Sequence, residues 1–379
     1  MSPALAATCR SRLDLLLPRY LDRDPHQVVQ PQLSGGACAQ ALFWMALDRD
    51  RAMLWAQRAL AILAETEVDY GLLNGLAGIC WTTEQLRDPD GDDPNADVDS
   101  MLLELLEDLG PEENLDLVSG LSGVAVYAAE RMPLPSAAAL LRALADRVVA
   151  RAIPLPQGLA WIPDPSMLAW QRAEGTPAAD YNLGLAHGMP GPLSVLALAT
   201  AWGVGDYRRP LEQGMATLVS LCSASPFPAS FGPTGQIPAR GVAWCYGGAG
   251  VGTWLRAMGA LMQRPDWRRQ GEDLLRHHLH THLDIRSACL CHGDASLALM
   301  LHLLADPELA PLQQQAVDRL STWLEQGAPR PSERENITPS SEDILEGAAG
   351  GAMVLARLAG LPAPPWERLL LFDLRGPRS

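Results

Sequence analysis

The chain is 379 residues long and 48% hydrophobic, with a formal charge of −15 at pH 7. That much apolar sequence can bury a sizeable core, while the acidic balance argues against non-specific nucleic-acid binding and against an anionic membrane surface. No uncharged apolar run of about 18 residues occurs, so no membrane span is expected, and an odd count of 7 cysteines without small-scaffold spacing favours reduced thiols in the cytosol, some of them metal ligands.

The chain opens on MSPALAATCRSRLDLLLPRYLDRD, where Arg10, Arg12 and Asp14 interrupt any apolar run; this reads as an amphipathic first helix, not a targeting segment. One pattern then recurs: a small-residue stretch, a Gly-x-x-Gly or Gly-x-x-small turn, and an apolar helix-like run. It appears as SGGACAQALFWMAL at Gly36 and NGLAGICW at Gly75, and after an acidic, Pro/Gly-containing loop over residues 87–99 as SGLSGVAVYAA at Gly120. Leucines three and four apart over 136–152 predict a surface helix with one apolar face. Residues 153–180, rich in Pro and Trp, read as a long loop with a short extended hairpin at 158–162. The pattern returns as HGMPGPLSVLALA at Gly188, and a second long loop is expected over 223–239 (SASPFPASFGPTGQIPA). YGGAGVGTWLRAM follows at Gly247, then a surface helix over 268–280, HGDASLALMLHLL at Gly293, a loop over 327–343, and EGAAGGAMVLARL at Gly347.

Each copy opens a helix rich in Ala, Leu and Val, so seven buried helices should alternate with amphipathic ones. This predicts an all-α fold, an α/α toroid with a double ring of about seven inner and seven outer helices, in which residues 1–379 form a single domain. The turns should cluster at one end of the inner ring, where glycine permits tight turns and close backbone approach.

Three turns carry chemistry: GLAHGMPG at 184–191, AWCYGGAG at 243–250 and CLCHGDAS at 289–296. Cys245, Cys291 and His292 are ligand types that zinc prefers. A structural zinc site is closed by four protein ligands and a catalytic one keeps three, so a Cys₂His set points to a working metal, Zn²⁺. Adjacent residues on a helix point about 100° apart, so Cys291 and His292 belong on the turn entering a helix, where a thiolate is favoured. Buried cysteine is otherwise a small hydrophobe, a reading that suits Cys9, Cys38, Cys80, Cys222 and Cys289. His187 is either a fourth ligand, which would close the site, or a general acid/base beside it. Asp116 is either a helix cap or a functional carboxylate, and Arg240 either steers an anion or pairs with a carboxylate. Trp161, Trp170 and Trp244 offer apolar contact for a substrate or belong to the core.

GLAHGMPGPL, RGVAWCYGGAG and CHG, in this order and spacing, resemble the signature of the LanC-like family, whose best-known members are the lanthionine synthetase C cyclases of lanthipeptide antibiotic biosynthesis. LDLVSGLSG, NGLAGIC, LEGAAG and the closing WERLLLFD resemble that family's repeats, so the similarity spans essentially the whole chain. The resemblance implies an α/α toroid with a catalytic zinc held by Cys245, Cys291 and His292. It also implies a catalytic histidine at His187 and a supporting aspartate at Asp116. The arginine that precedes the family's WCYG turn corresponds to Arg240, with GVAW one residue longer than the usual interval, and CHGDAS has Ser296 where a second glycine is more usual. The activity implied is addition of a peptide cysteine thiolate to dehydroalanine or dehydrobutyrine in the same peptide, giving a thioether ring. The partners implied are a dehydrated precursor peptide, a lanthipeptide dehydratase and an exporter, and the protein itself is expected in the cytoplasm. The alternatives are glutathione addition to dehydroamino acids and a non-catalytic peptide-binding scaffold.

Overall fold

A computed structural model describes residues 2–17, 23–88, 90–110, 112–163, 181–233, 235–239, 241–281, 285, 287–326 and 343–377. Fourteen α-helices occur among them. Seven follow the glycine turns: α2 (Ala37–Trp44), α4 (Leu76–Leu86), α6 (Leu121–Glu130), α8 (Pro190–Ala201), α10 (Gly248–Leu261), α12 (Asp294–Leu304) and α14 (Ala348–Leu358). The other seven alternate with them: α1 (Pro3–Leu16), α3 (Arg49–Leu63), α5 (Val98–Asp108), α7 (Pro135–Ala150), α9 (Arg208–Ser220), α11 (Pro265–Thr281) and α13 (Ala310–Gln326).

Burial separates the two sets as the patterning requires. All of α6 is buried, as is every residue of α8 from Pro190 to Ala199. In α7, by contrast, Ala137, Leu140, Leu141, Leu144, Ala145 and Val148 form one buried stripe at helical spacing. In α1 the stripe is Leu5, Cys9, Leu13 and Leu16, with the Ser2 hydroxyl accepting from the Leu5 amide at 3.2 Å as an N-cap. Fully burying a Leu or Val side chain stabilises the fold by roughly 1.5–3 kcal/mol, so Leu193, Val195, Leu196 and Leu198 make α8 a strong local anchor. Charges on the buried set are paired: Glu130 with Arg368 at 2.9 Å and Arg375 at 3.0 Å, and Arg131, which follows α6, with Asp99 and Glu84 at 2.8 Å. Pairing offsets the cost of taking such groups out of water.

The described chain divides into two compact units. One comprises Met1–Val68, Gly241–Ala243 and Asp284–Trp366, and the other Asp69–Arg240, Trp244–Leu283 and Glu367–Ser379. In the first, the buried helices α12, α14 and α2 pack in succession, with α13, α1 and α3 against them. In the second, α4, α6, α8 and α10 pack in succession, backed by α7, α9 and α11.

Five of the turns share one hydrogen-bond scheme. The amide just after the turn glycine donates to the carbonyl six residues before that glycine: Ala37 to Gln30, Leu76 to Asp69, Leu121 to Asn114, Met189 to Asn182 and Asp294 to Ser287, at 2.7, 2.9 or 3.0 Å. A helix leaves its first amides without intrahelical partners; here the turn's own backbone takes one of them, and no side-chain cap is needed. Neighbouring turns are strapped together as well. In the second unit Leu73 N donates to Val118 O at 2.9 Å, Leu117 N to Ala186 O at 3.1 Å and Leu185 N to Cys245 O at 2.9 Å. In the first unit Cys291 N donates to Leu345 O at 2.8 Å, and a β-bridge joins Ser34 to Asp343.

Five short strands depart from the helical plan. β1 (Ile153–Leu155) and β2 (Gly158–Ala160) form an antiparallel hairpin, so the expected extended segment at 158–162 is present with its partner just upstream. The loop expected over 223–239 is instead largely sheet: β4 (Pro228–Gly232) and β5 (Gly235–Pro238) pair antiparallel, and β4 also pairs with β3 (Tyr181–Asn182). Phe231 stacks on Tyr181 at 5.0 Å, giving this proline-rich stretch an apolar contact that fixes its register. Asp99, placed by sequence at the end of an acidic loop, lies inside α5, fully buried against Tyr127 at 2.8 Å and Ser136 at 2.6 Å. Trp161 and Trp244 are wholly buried and belong to the core. Trp170, most of the 327–343 loop and residues 164–180 lie outside the described residues.

Candidate active site

Asp116 sits in the turn before α6 with no exposed surface. Its own amide donates to the Asn114 side chain at 2.8 Å, and its Oδ1 accepts from Ser119 N at 2.9 Å and Gly120 N at 2.8 Å. Three side-chain–backbone bonds thus fix the turn. The other carboxylate oxygen, Oδ2, lies 2.5 Å from Nδ1 of His187. One oxygen thus holds the backbone of the turn and the other lies against an imidazole. A carboxylate oxygen accepts, so Nδ1 carries the hydrogen of this pair, leaving Nε2 as the nitrogen that can exchange a proton. The His187 side chain is about one-quarter exposed (26%), while that of Asp116 is 0% exposed.

The turn bearing His187 is held from both sides, by Leu117 N on Ala186 O and by Leu185 N on Cys245 O. A Cβ at Gly184 would lie 2.4 Å from the Cys245 carbonyl oxygen, closer than any side chain tolerates, so glycine is what allows the two turns to touch. Asn182 completes the junction: its Oδ1 accepts from Gly184 N at 2.8 Å and its Nδ2 donates to the Tyr246 hydroxyl at 2.8 Å. Neither Asn182 nor Tyr246 was singled out by sequence reasoning. The available signal was positional, since Asn182 precedes Gly188 by six residues as Asn114 precedes Gly120.

Cys245 is half-buried and follows the fully buried Trp244, whose indole N–H donates to Leu370 O at 2.9 Å. Gly247, two residues on, has φ +100°, a left-handed conformation that glycine adopts without strain and that turns the chain into α10. Cys291 is buried and His292 N donates to the Cys289 sulfur at 3.4 Å. Nδ1 of His292 lies 3.9 Å from Oε1 of Glu346. Asp294, the first residue of α12, pairs through Oδ1 with both Nε and Nη2 of Arg319, at 2.9 and 2.6 Å.

Among the described residues Cys245, at the turn entering α10, and Cys291 and His292, at the turn entering α12, make up a group of metal-ligating residue types. Two thiols and an imidazole are a donor set suited to zinc. Cys289, 2% exposed, is not in the group. None of the seven cysteines forms a disulfide. Burial pushes the thiols of Cys9, Cys80 and Cys222 up to about 12, so these remain protonated thiols at neutral pH. Arg240 lies outside the described residues. No helix among those described is long and apolar enough to cross a membrane.

No curated protein matches the chain. Among solved structures, nisin cyclase is 18% identical, covers 98% of each chain and superposes with a TM-score of 0.70, which establishes a common all-α toroid fold. The sequence profile described as "Lanthionine synthetase C-like protein" matches residues 28–371, a span that takes in all seven glycine turns and every described residue of the site. By that match the chain belongs to the lanthionine synthetase C-like family.

Proposed function

We propose that the protein is a zinc-dependent lanthipeptide cyclase that joins cysteine thiols of a dehydrated precursor peptide to dehydroalanine or dehydrobutyrine within the same peptide. The observation that carries this reading is the group formed by Cys245, Cys291 and His292, three donors of zinc-preferred type. Family membership and a fold shared with a protein named as a cyclase support the reaction class.

Zinc held by these three residues would leave a coordination position for a substrate thiol and favour its thiolate near neutral pH. The reaction forms a sulfur–Cβ bond and opens the carbon–carbon double bond. The thiol proton is lost as the thiolate forms, and one proton must be delivered to Cα of the resulting enolate. His187 is assigned that delivery from Nε2, because Nδ1 is engaged by Asp116 at 2.5 Å. Asp116 fixes the ring's orientation and tautomer and stabilises the imidazolium. Arg240, five residues before Cys245 in the chain, is assigned to attracting the anionic adduct. Carrying thiol and acceptor in one peptide supplies proximity, and the rigid turns set where the ring closes. This reading places the protein in the cytoplasm, with a lanthipeptide dehydratase and an exporter as further partners.

Elemental analysis tests the assignment. Purified protein should hold close to one zinc per chain, and Cys245→Ala and Cys291→Ala should each lose most of it. Full retention of zinc in both variants would overturn the ligand assignment.

A further inference from the structure

We propose that Glu346 is a positioning residue for His292, taking the imidazole N–H that faces away from the metal; this rests on the zinc assignment above. Glu346 Oε1 lies 3.9 Å from His292 Nδ1, and the two side chains are similarly exposed, at 38% and 40%. That separation is an ion-pair distance, longer than a hydrogen bond; with Nδ1 given to Glu346, Nε2 is the nitrogen left for the metal.

The backbone carrying Glu346 is set independently of its side chain. Asp343 Oδ1 accepts from Leu345 N at 2.7 Å and from Glu346 N at 2.8 Å; it precedes Gly347 by four residues as Asp116 precedes Gly120, and the Asp116 carboxylate takes the two amides one position further on. The carbonyl between those two amides, Leu345 O, accepts from Cys291 N at 2.8 Å. The turn that presents the carboxylate is therefore tied directly to the turn that presents two of the ligands. Cys289 adds a second hold on the same residue by accepting from the His292 amide at 3.4 Å.

The chemistry gives this placement a purpose. A ligating histidine must be neutral and must present one nitrogen lone pair, so its other nitrogen carries a hydrogen that needs an acceptor. A carboxylate there fixes tautomer and ring orientation and raises the basicity of the ligand, and loss of such partners typically weakens metal binding roughly 10–100-fold. Glu346 fits that position on geometry and charge.

The test is zinc affinity, measured on the full-length protein by competition with a chromophoric chelator, for wild type, Glu346→Gln and Glu346→Ala. The expected order is wild type tightest, Glu346→Gln intermediate because its amide oxygen still accepts, and Glu346→Ala about 10–100-fold weaker. Cobalt-substituted Glu346→Ala should show an altered visible spectrum with helicity unchanged, a signature that a purely structural side chain would not produce. A zinc affinity and cobalt spectrum for Glu346→Ala indistinguishable from wild type would overturn the inference; should that variant fail to fold, an unchanged affinity in Glu346→Gln would do so. Failure of the underlying zinc reading is separately visible, since wild type would then hold no more metal than Cys291→Ala, and the inference would fall with it.

Discussion

At the Gly120 turn, Asp116 Oδ1 accepts from two backbone amides while Oδ2 faces His187, and the two roles can be separated by mutation. Asp116→Ala removes both. The orphaned amides should cost about 1–3 kcal/mol of stability, and ring formation should fall on the order of 10²–10⁴-fold, as for a lost general acid or base. Asp116→Asn keeps an oxygen for the amides but places an N–H against His187 Nδ1, which forces the proton onto Nε2. It should therefore melt close to wild type yet share most of the activity loss. His187→Ala should retain zinc while losing activity to the same degree. Thermal melts, zinc analysis and turnover on one set of proteins check all three variants, and loss of metal from His187→Ala would make His187 a ligand instead. The sequence showed that Asp116 could be a cap or a functional group. It could not show the contact with His187, because that partner is 71 residues away in the chain and only the fold brings it near.

On the scale of single elements, α12 shows how a charge at the start of a buried helix is held. Asp294 begins this helix with a side chain only 7% exposed, and Arg319 on α13 reaches it with two nitrogens. Burial raises the Asp294 carboxyl above the usual carboxylate range, with Arg319 opposing that shift, so the charged form depends on the arginine. Arg319→Ala should lower stability by about 1–3 kcal/mol, the cost of a buried polar group left without its partner. Adding Asp294→Gly should recover part of that loss, and a double-mutant cycle on thermal or urea unfolding measures the coupling; strictly additive effects would contradict it. Sequence did not show this pairing, because Arg319 lies on a different helix from Asp294. The β4–β5 hairpin was hidden for another reason. Pro226, Pro228, Pro233 and Pro238 punctuate it, and proline is depleted from strands except at their ends and edges. Pro228 and Pro238 do stand at strand ends, and the register is set instead by the Tyr181–Phe231 contact with a strand far upstream.

For the molecule as a whole, the seven-fold repeat was legible because the glycine turns and the hydrophobic period recur together, and both follow from local backbone geometry. The strapping of turns to one another within each unit was not legible, since it consists of backbone bonds that carry no side-chain signature. The large apolar core implies that metal is not the source of the fold, unlike small metal-dependent domains that unfold without it. Chelation should remove zinc and activity while leaving far-UV circular dichroism nearly unchanged, and a collapse of helicity would show a structural ion. The most direct test of the central claim is incubation with a dehydrated precursor peptide followed by thiol alkylation and mass spectrometry. Ring closure predicts fewer alkylatable thiols at constant peptide mass, with the effect abolished in His187→Ala. An unchanged thiol count with zinc-loaded protein would contradict the account, and transfer of free glutathione to a dehydroalanine-containing protein in the same preparation would point to intermolecular addition instead.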